Sequence, residues 1–146
     1  MIQRIQTLYL LGIVALGIAL IWLPVAELVT NEFHVYELSA FSHVPLDGIW
    51  GLALTTILIP TLAFVDIFLF KKRILQARLN IFLAILCLGY YGILYMYIWF
   101  AKMNFAEEWH ITFWACIPLI CFVLTLGATR RILKDEALVR AADRIR

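Results

Sequence analysis

Charge is what this sequence has least of. Only 15% of its 146 residues are Asp, Glu, Lys or Arg and 64% are hydrophobic, whereas a soluble globular domain is about 25% charged. An ordinary soluble domain is excluded by that balance, and a membrane class is the starting expectation. Cysteine is scarce too. Cys116 and Cys121 are five apart, and Cys87 lies in a different apolar stretch. No Cys-x-x-Cys pair is therefore present for thiol–disulfide exchange, and side chains five apart on one helix diverge. The three thiols are expected to be small residues packed among helices. His34 and His43 fall between apolar stretches and His110 falls at the start of one, so no pair of histidines can face each other across a bundle interior to hold haem. Nor does the spacing of His34, His43, His110, Glu107 and Glu108 match a recognised metal site. Glycine-rich phosphate loops are missing, as is any nucleophile with a base at useful spacing. No catalytic residue, metal, cofactor or nucleic-acid partner is expected.

What is present is hydrocarbon-compatible length. Crossing a core about 30 Å thick takes about 20 mostly apolar residues at about 1.5 Å of rise each, and four stretches qualify: 5–23, 49–70, 79–101 and 111–129. Lipid cannot satisfy exposed backbone amides, so these stretches are expected as helices. Arg4 before an apolar run also describes a secretory signal. However, "LPVAE" puts Pro24 where a cleavage site needs a small residue, so the stretch is read as a retained span.

The basic residues are one-sided. Arg4 precedes the first stretch; Lys71, Lys72, Arg73 and Arg78 join the second and third; Arg130, Arg131, Lys134, Arg140, Arg144 and Arg146 follow the fourth. Lysine and arginine are retained on the cytoplasmic face, so both termini are expected there. Only Lys102 falls on the other side, where Glu27, Glu32, Glu37, Asp47, Glu107 and Glu108 also lie. Trp22, Trp50, Trp99, Trp109 and Trp114 mark that same outer boundary, as tryptophan prefers the membrane–water interface. The expected fold is all-α: an antiparallel four-helix membrane bundle over residues 1–129 with a charged cytoplasmic helical tail over 130–146. Short connections make the later neighbours antiparallel. The longer connection from Pro24 to Gly48 contains "AELVTNEFHVYEL", which reads as a small outer β-hairpin, with a lipid-facing helix pair as the alternative.

Asp66 is the one ionisable residue inside a stretch, which makes it a functional candidate by default. It lies five residues before Lys71, about 7.5 Å from the inner boundary. A structural ion pair with Arg4, Arg73 or Arg130 is the preferred reading, and ion coupling the alternative. The third stretch carries Tyr90, Tyr91, Tyr95 and Tyr97 in its outer half. Tyr91 and Tyr95 share a helix face, which suits either a quinone or lipid pocket or an interfacial aromatic belt with hydroxyls reaching neighbours. Ala15, Ala19, Gly48 and Gly51 favour close helix contact, and Pro60 and Pro118 are expected to bend their helices.

The tail "RRILKDEALVRAADRIR" continues the fourth helix. Arg131 precedes Asp135 by four, and Glu136 precedes Arg140 by four, both favourable surface pairs, while Leu138, Ala142 and Ile145 share one face. A polybasic membrane-surface helix carries fewer acids. Mixed charge beside an apolar stripe suits docking on protein, either this bundle's own inner loop or another chain, with a solvated helix end that only orients the fourth span as the alternative. The opening "MIQRIQTLYLL" and the close "KDEALVRAADRIR" resemble the two ends of a bacterial group of small four-span membrane proteins catalogued only as a domain of unknown function; between those ends the likeness is one of hydropathy. The resemblance implies a Gram-negative inner-membrane location, no established activity and no catalytic residue. It singles out Gln3, Arg4 and Gln6 together with the tail, where Lys134, Asp135, Glu136, Arg140, Asp143 and Arg144 are the docking candidates. The functional expectation is a non-enzymatic accessory or scaffold subunit of an inner-membrane complex, bound to lipid and to a protein partner or to further copies of itself. A quinone- or redox-associated subunit and an oligomeric transporter using Asp66 are the alternatives.

Overall fold

The computed structural model describes residues 3–30, 34–41, 50–104 and 106–143, and the side chains of residues 3–5, 71, 140, 142 and 143 lie outside the described ones. Four helices dominate: α1 (Gln3–Trp22), α2 (Trp50–Phe68), α3 (Arg73–Asn104) and α4 (Ile117–Asp143). Each packs on its sequence neighbour, and α4 closes the ring by packing on α1. Apolar side chains fill the interior, among them Leu10, Ile13, Leu52, Ile59, Leu83 and Cys87. They also cover the outside, where Leu8, Leu11, Leu54, Phe64, Ile85 and Val123 are all exposed. Helices that are hydrophobic all round belong in lipid or in a larger core. Three of them, Trp50–Phe68, Arg73–Asn104 and Phe113–Val139 counted with its leading turn, are long and apolar enough to cross a membrane, and the apolar part of α1, Gln6–Trp22, is shorter.

The α1–α2 seam is held close by a missing side chain. A Cβ on Gly17 would stand 2.9 Å from Pro60 Cβ, so only glycine lets the proline ring of α2 seat against α1. The sequence points instead to Ala15 and Ala19, yet Ala15 is exposed and Ala19 half-buried; Gly48 lies outside the described residues. Pro118 stands in the first turn of its helix. It is the second residue of α4, where the missing N–H is one the helix would not have bonded anyway.

One end of the bundle is closed by a three-stranded antiparallel sheet of order β2-β1-β3, formed by β1 (Ala26–Thr30), β2 (Val35–Leu38) and β3 (Ala106–Ile111). The expected hairpin is present as β1 and β2, with Ala26 opposite Leu38 and Val29 opposite Val35. The third strand corrects the reading of residue 111 as the start of a helix. There the chain is still extended, with Ile111 opposite Ala26 and Trp109 opposite Leu28, and α4 begins only after a 3-10 turn over Phe113–Cys116. The partner for β3 comes from about 80 residues away, so no local pattern announces it. At the other end α4 runs without a break from Ile117 to Asp143, carrying the tail directly off the bundle.

Candidate functional site

Two polar constellations stand at opposite ends of the ring. The end where α1 begins and α4 finishes is here the terminal end; the other is the sheet end.

At the terminal end the helices are tied by amides and carboxylates. Gln6 Nε2 donates to Asp135 Oδ2, joining the first turns of α1 to the tail part of α4, and both side chains are buried. The two chain ends singled out in the sequence therefore meet. Gln6 and Asp135 turn toward each other, while Lys134 is exposed and Glu136 half-buried. Gln3, Arg4, Arg140 and Asp143 have side chains outside the described ones, and Arg144 lies outside the described residues altogether. Ile132 anchors the same stretch of α4 with no exposed surface, leaving Leu133, Leu138 and Val139 at the surface. The helix thus continues beyond its apolar span with one face fixed and another open.

Asp66, near the end of α2, is 1% exposed and faces α3. Among the described side chains its partner is an amide, and Arg4, one of the three expected partners, lies outside them. Asn80 Nδ2 donates to Asp66 Oδ2 at 2.5 Å, and Gln76 Nε2 donates to the Asp66 backbone carbonyl at 3.1 Å. Arg130 is exposed, and among the described residues no ion pair joins Asp66 to Arg73 or Arg130. Gln76 was missed because the third apolar stretch is counted from residue 79, and Asn80, inside that stretch, was missed because it carries no charge. The available signal was their spacing: two amides four apart on a helix share a face, and both point inward here.

A groove of about 580 Å³ opens beside this seam between the start of α3 and the tail of α4, lined by Lys72, Arg73, Arg78 and Glu136 over Ile74 and Val139. Three cations against one carboxylate make it a positively biased cleft with apolar walls.

At the sheet end the tyrosines of α3 hold the starts of the neighbouring helices. The Tyr91 hydroxyl donates to the Ala115 carbonyl at 2.6 Å and accepts from the Leu119 amide at 3.1 Å. Tyr97 accepts from the Gly51 amide at 3.2 Å. Both amides lie in first helical turns, where no intrahelical partner exists, so a phenol from an adjacent helix serves as the cap. Tyr90 is buried against Thr56. Tyr95 is 64% exposed. With Tyr91, Leu94, Ile98, Trp99, Trp109 and Ile111 it lines a largely apolar groove of about 410 Å³ that has Lys102 at its edge. Trp109 and Ile111 reach it because alternate residues of β3 share one face of the sheet. The tryptophans cluster at this end, Trp22 and Trp50 among the most exposed at 80% and 83%.

Of the thiols, Cys87 and Cys121 are buried as expected and Cys116 is exposed; all three are free. Among the described residues no group of three or more His, Cys, Asp or Glu stands together as a metal site; His43 lies outside them. His110 is on β3, 3.9 Å from Glu108.

No curated protein and no solved structure matches the chain. A family model described as "Domain of unknown function (DUF4293)" matches residues 2–145. That span takes in both chain ends, the Gln6–Asp135 contact, the Asp66–Asn80 seam and the tyrosine caps, and the chain belongs to this family.

Proposed function

We propose that this chain is a non-enzymatic accessory or scaffold subunit of a bacterial inner membrane, with both termini cytoplasmic, that docks a protein partner through its spans and its tail helix. The observation that carries the reading is the Gln6–Asp135 contact. It fixes the tail onto the bundle, so that Leu133, Leu138 and Val139 are displayed on a helix already ordered before any partner arrives. Preorganisation of that kind lowers the entropy cost of binding. The orientation rests on Lys72, Arg73, Arg78, Arg130, Arg131 and Lys134 at the terminal end and the tryptophans at the other.

A photo-crosslinking residue placed at Leu138 in cells tests it. A discrete adduct is expected from position 138, and deletion of Lys134 to Arg146 is expected to leave insertion intact while abolishing recovery of that partner in mild detergent. Full recovery by the truncated protein would contradict the docking role.

A second reading is favoured by the groove beside Tyr91 and Tyr95. Its aromatic walls and single cation at the edge suit an amphiphile with a flat or chain-like apolar body, such as a quinone or a lipid. Extraction of purified material followed by quinone analysis separates this reading from the first.

A further inference from the structure

The seam between α2 and α3 lacks a donor. After Asn80 Nδ2 has bonded to Asp66 Oδ2, two oxygens are left buried and without a hydrogen-bond partner: Oδ1 of Asp66 and Oδ1 of Asn80. These side chains are 1% and 0% exposed. If the carboxyl is ionised, both oxygens are acceptors only, and burying an uncompensated charge beside two unmet acceptors is the least favourable arrangement available. A single hydrogen resolves both at once.

We propose that Asp66 is an intramembrane proton-binding site, in which the carboxyl carries its proton on Oδ1 and donates it to Oδ1 of Asn80. With the existing bond from Asn80 Nδ2 to Asp66 Oδ2 this closes an acid–amide ring of two hydrogen bonds and satisfies all four polar atoms. Closing it takes rotations of two planar groups about their terminal side-chain bonds, which are broad torsions. The groups that α3 presents here, Gln76 and Asn80, are neutral. Gln6, from the first turns of α1, is committed to Asp135 of α4. Thr125 and Thr129 of α4 donate to carbonyls of their own helix. The Arg4 side chain, outside the described ones, is the remaining cation of α1 near this end. A hard metal cation is a poorer fit, since calcium and magnesium take six or more oxygens and the seam leaves two side-chain oxygens unpartnered.

The reading does not depend on partner docking, and infrared spectroscopy of the full-length protein in lipid vesicles at pH 7 tests it. The wild type is expected to show a carboxylic-acid C=O stretching band that Asp66→Asn abolishes. Asp66→Asn is expected to keep its melting temperature within a few degrees, because a carboxamide supplies an N–H where the acid supplied O–H. In Asn80→Leu the acid band is expected to remain but move to higher frequency, as its hydroxyl loses its acceptor; Asn80→Ser serves if the leucine variant does not fold. Absence of the acid band in the wild type would overturn the proposal in favour of an ionised Asp66 paired with a cation such as Arg4. Persistence of the band in Asp66→Asn would overturn it by assigning the proton elsewhere. Stabilisation of the wild type, and not of Asp66→Asn, by sodium over choline at equal ionic strength would overturn it in favour of a metal ion.

Discussion

The two ends of the bundle solve the same problem with different chemistry. At the terminal end, helices are joined by pairs of side chains, Gln6 with Asp135 and Asn80 with Asp66. At the sheet end they are joined by side chains reaching main chain, with Tyr91 on Ala115 and Leu119 and Tyr97 on Gly51. The difference follows from what each end must satisfy. The sheet end holds the starts of α2 and α4, whose first amides have no partner in their own helix, and two rigid phenols on α3 reach one each, Tyr97 at α2 and Tyr91 at α4. The terminal end holds the end of α2 and the start of α3, where Asn80 donates to the buried Asp66 carboxyl and Gln76 donates to the Asp66 backbone carbonyl. An isosteric replacement can therefore preserve the terminal end, while the sheet end depends on the hydroxyl itself.

That contrast can be broken at either end. The largest loss is expected from Tyr91→Phe combined with Tyr97→Phe, which removes the three hydrogen bonds described above and keeps the rings. At about 1 kcal/mol each, the sum is about 3 kcal/mol, additive to within about 0.5 kcal/mol for separate sites; reversible unfolding in mixed micelles measures it. An unchanged stability would show that water replaces both caps. Gln6→Leu removes one bond and leaves the buried Asp135 carboxyl without that donor, and the expected loss is smaller, about 1–2 kcal/mol. A larger effect than that of the tyrosine pair would reverse the comparison.

Much of the helical frame was legible from hydropathy, because a long apolar run has few alternatives to a helix where lipid is expected to surround it, and three of the four helices are long and apolar enough to cross a membrane. The hairpin was legible from β-branched and aromatic residues flanking a polar "TNE". The strand β3 was not. "AEEWHI" has only its first residue buried, so it shows little hydrophobic alternation, and it is a strand because β1 lies beside it. Gly17 was passed over for the same physical reason: what makes it necessary is Pro60, on another helix. At the terminal end the sequence brought Gln6 and the tail to one side, and singled out Asp66, but it could not pair them. Which amide meets which carboxyl depends on the rotation of each helix about its axis, and apolar residues on every face leave that rotation unspecified. The tyrosine cluster carried a similar ambiguity, since its hydroxyls find their partners only once neighbouring helix starts are placed.

The account depends most on the terminal end and the sheet end lying on opposite sides of one bilayer, with the tail inside the cell. Accessibility of single cysteines in a background where Cys87, Cys116 and Cys121 are replaced tests that most directly. In intact spheroplasts a membrane-impermeant thiol reagent is predicted to label Glu108→Cys on β3, and to label Leu138→Cys on the tail only after lysis. Labelling of Leu138→Cys before lysis would contradict the account.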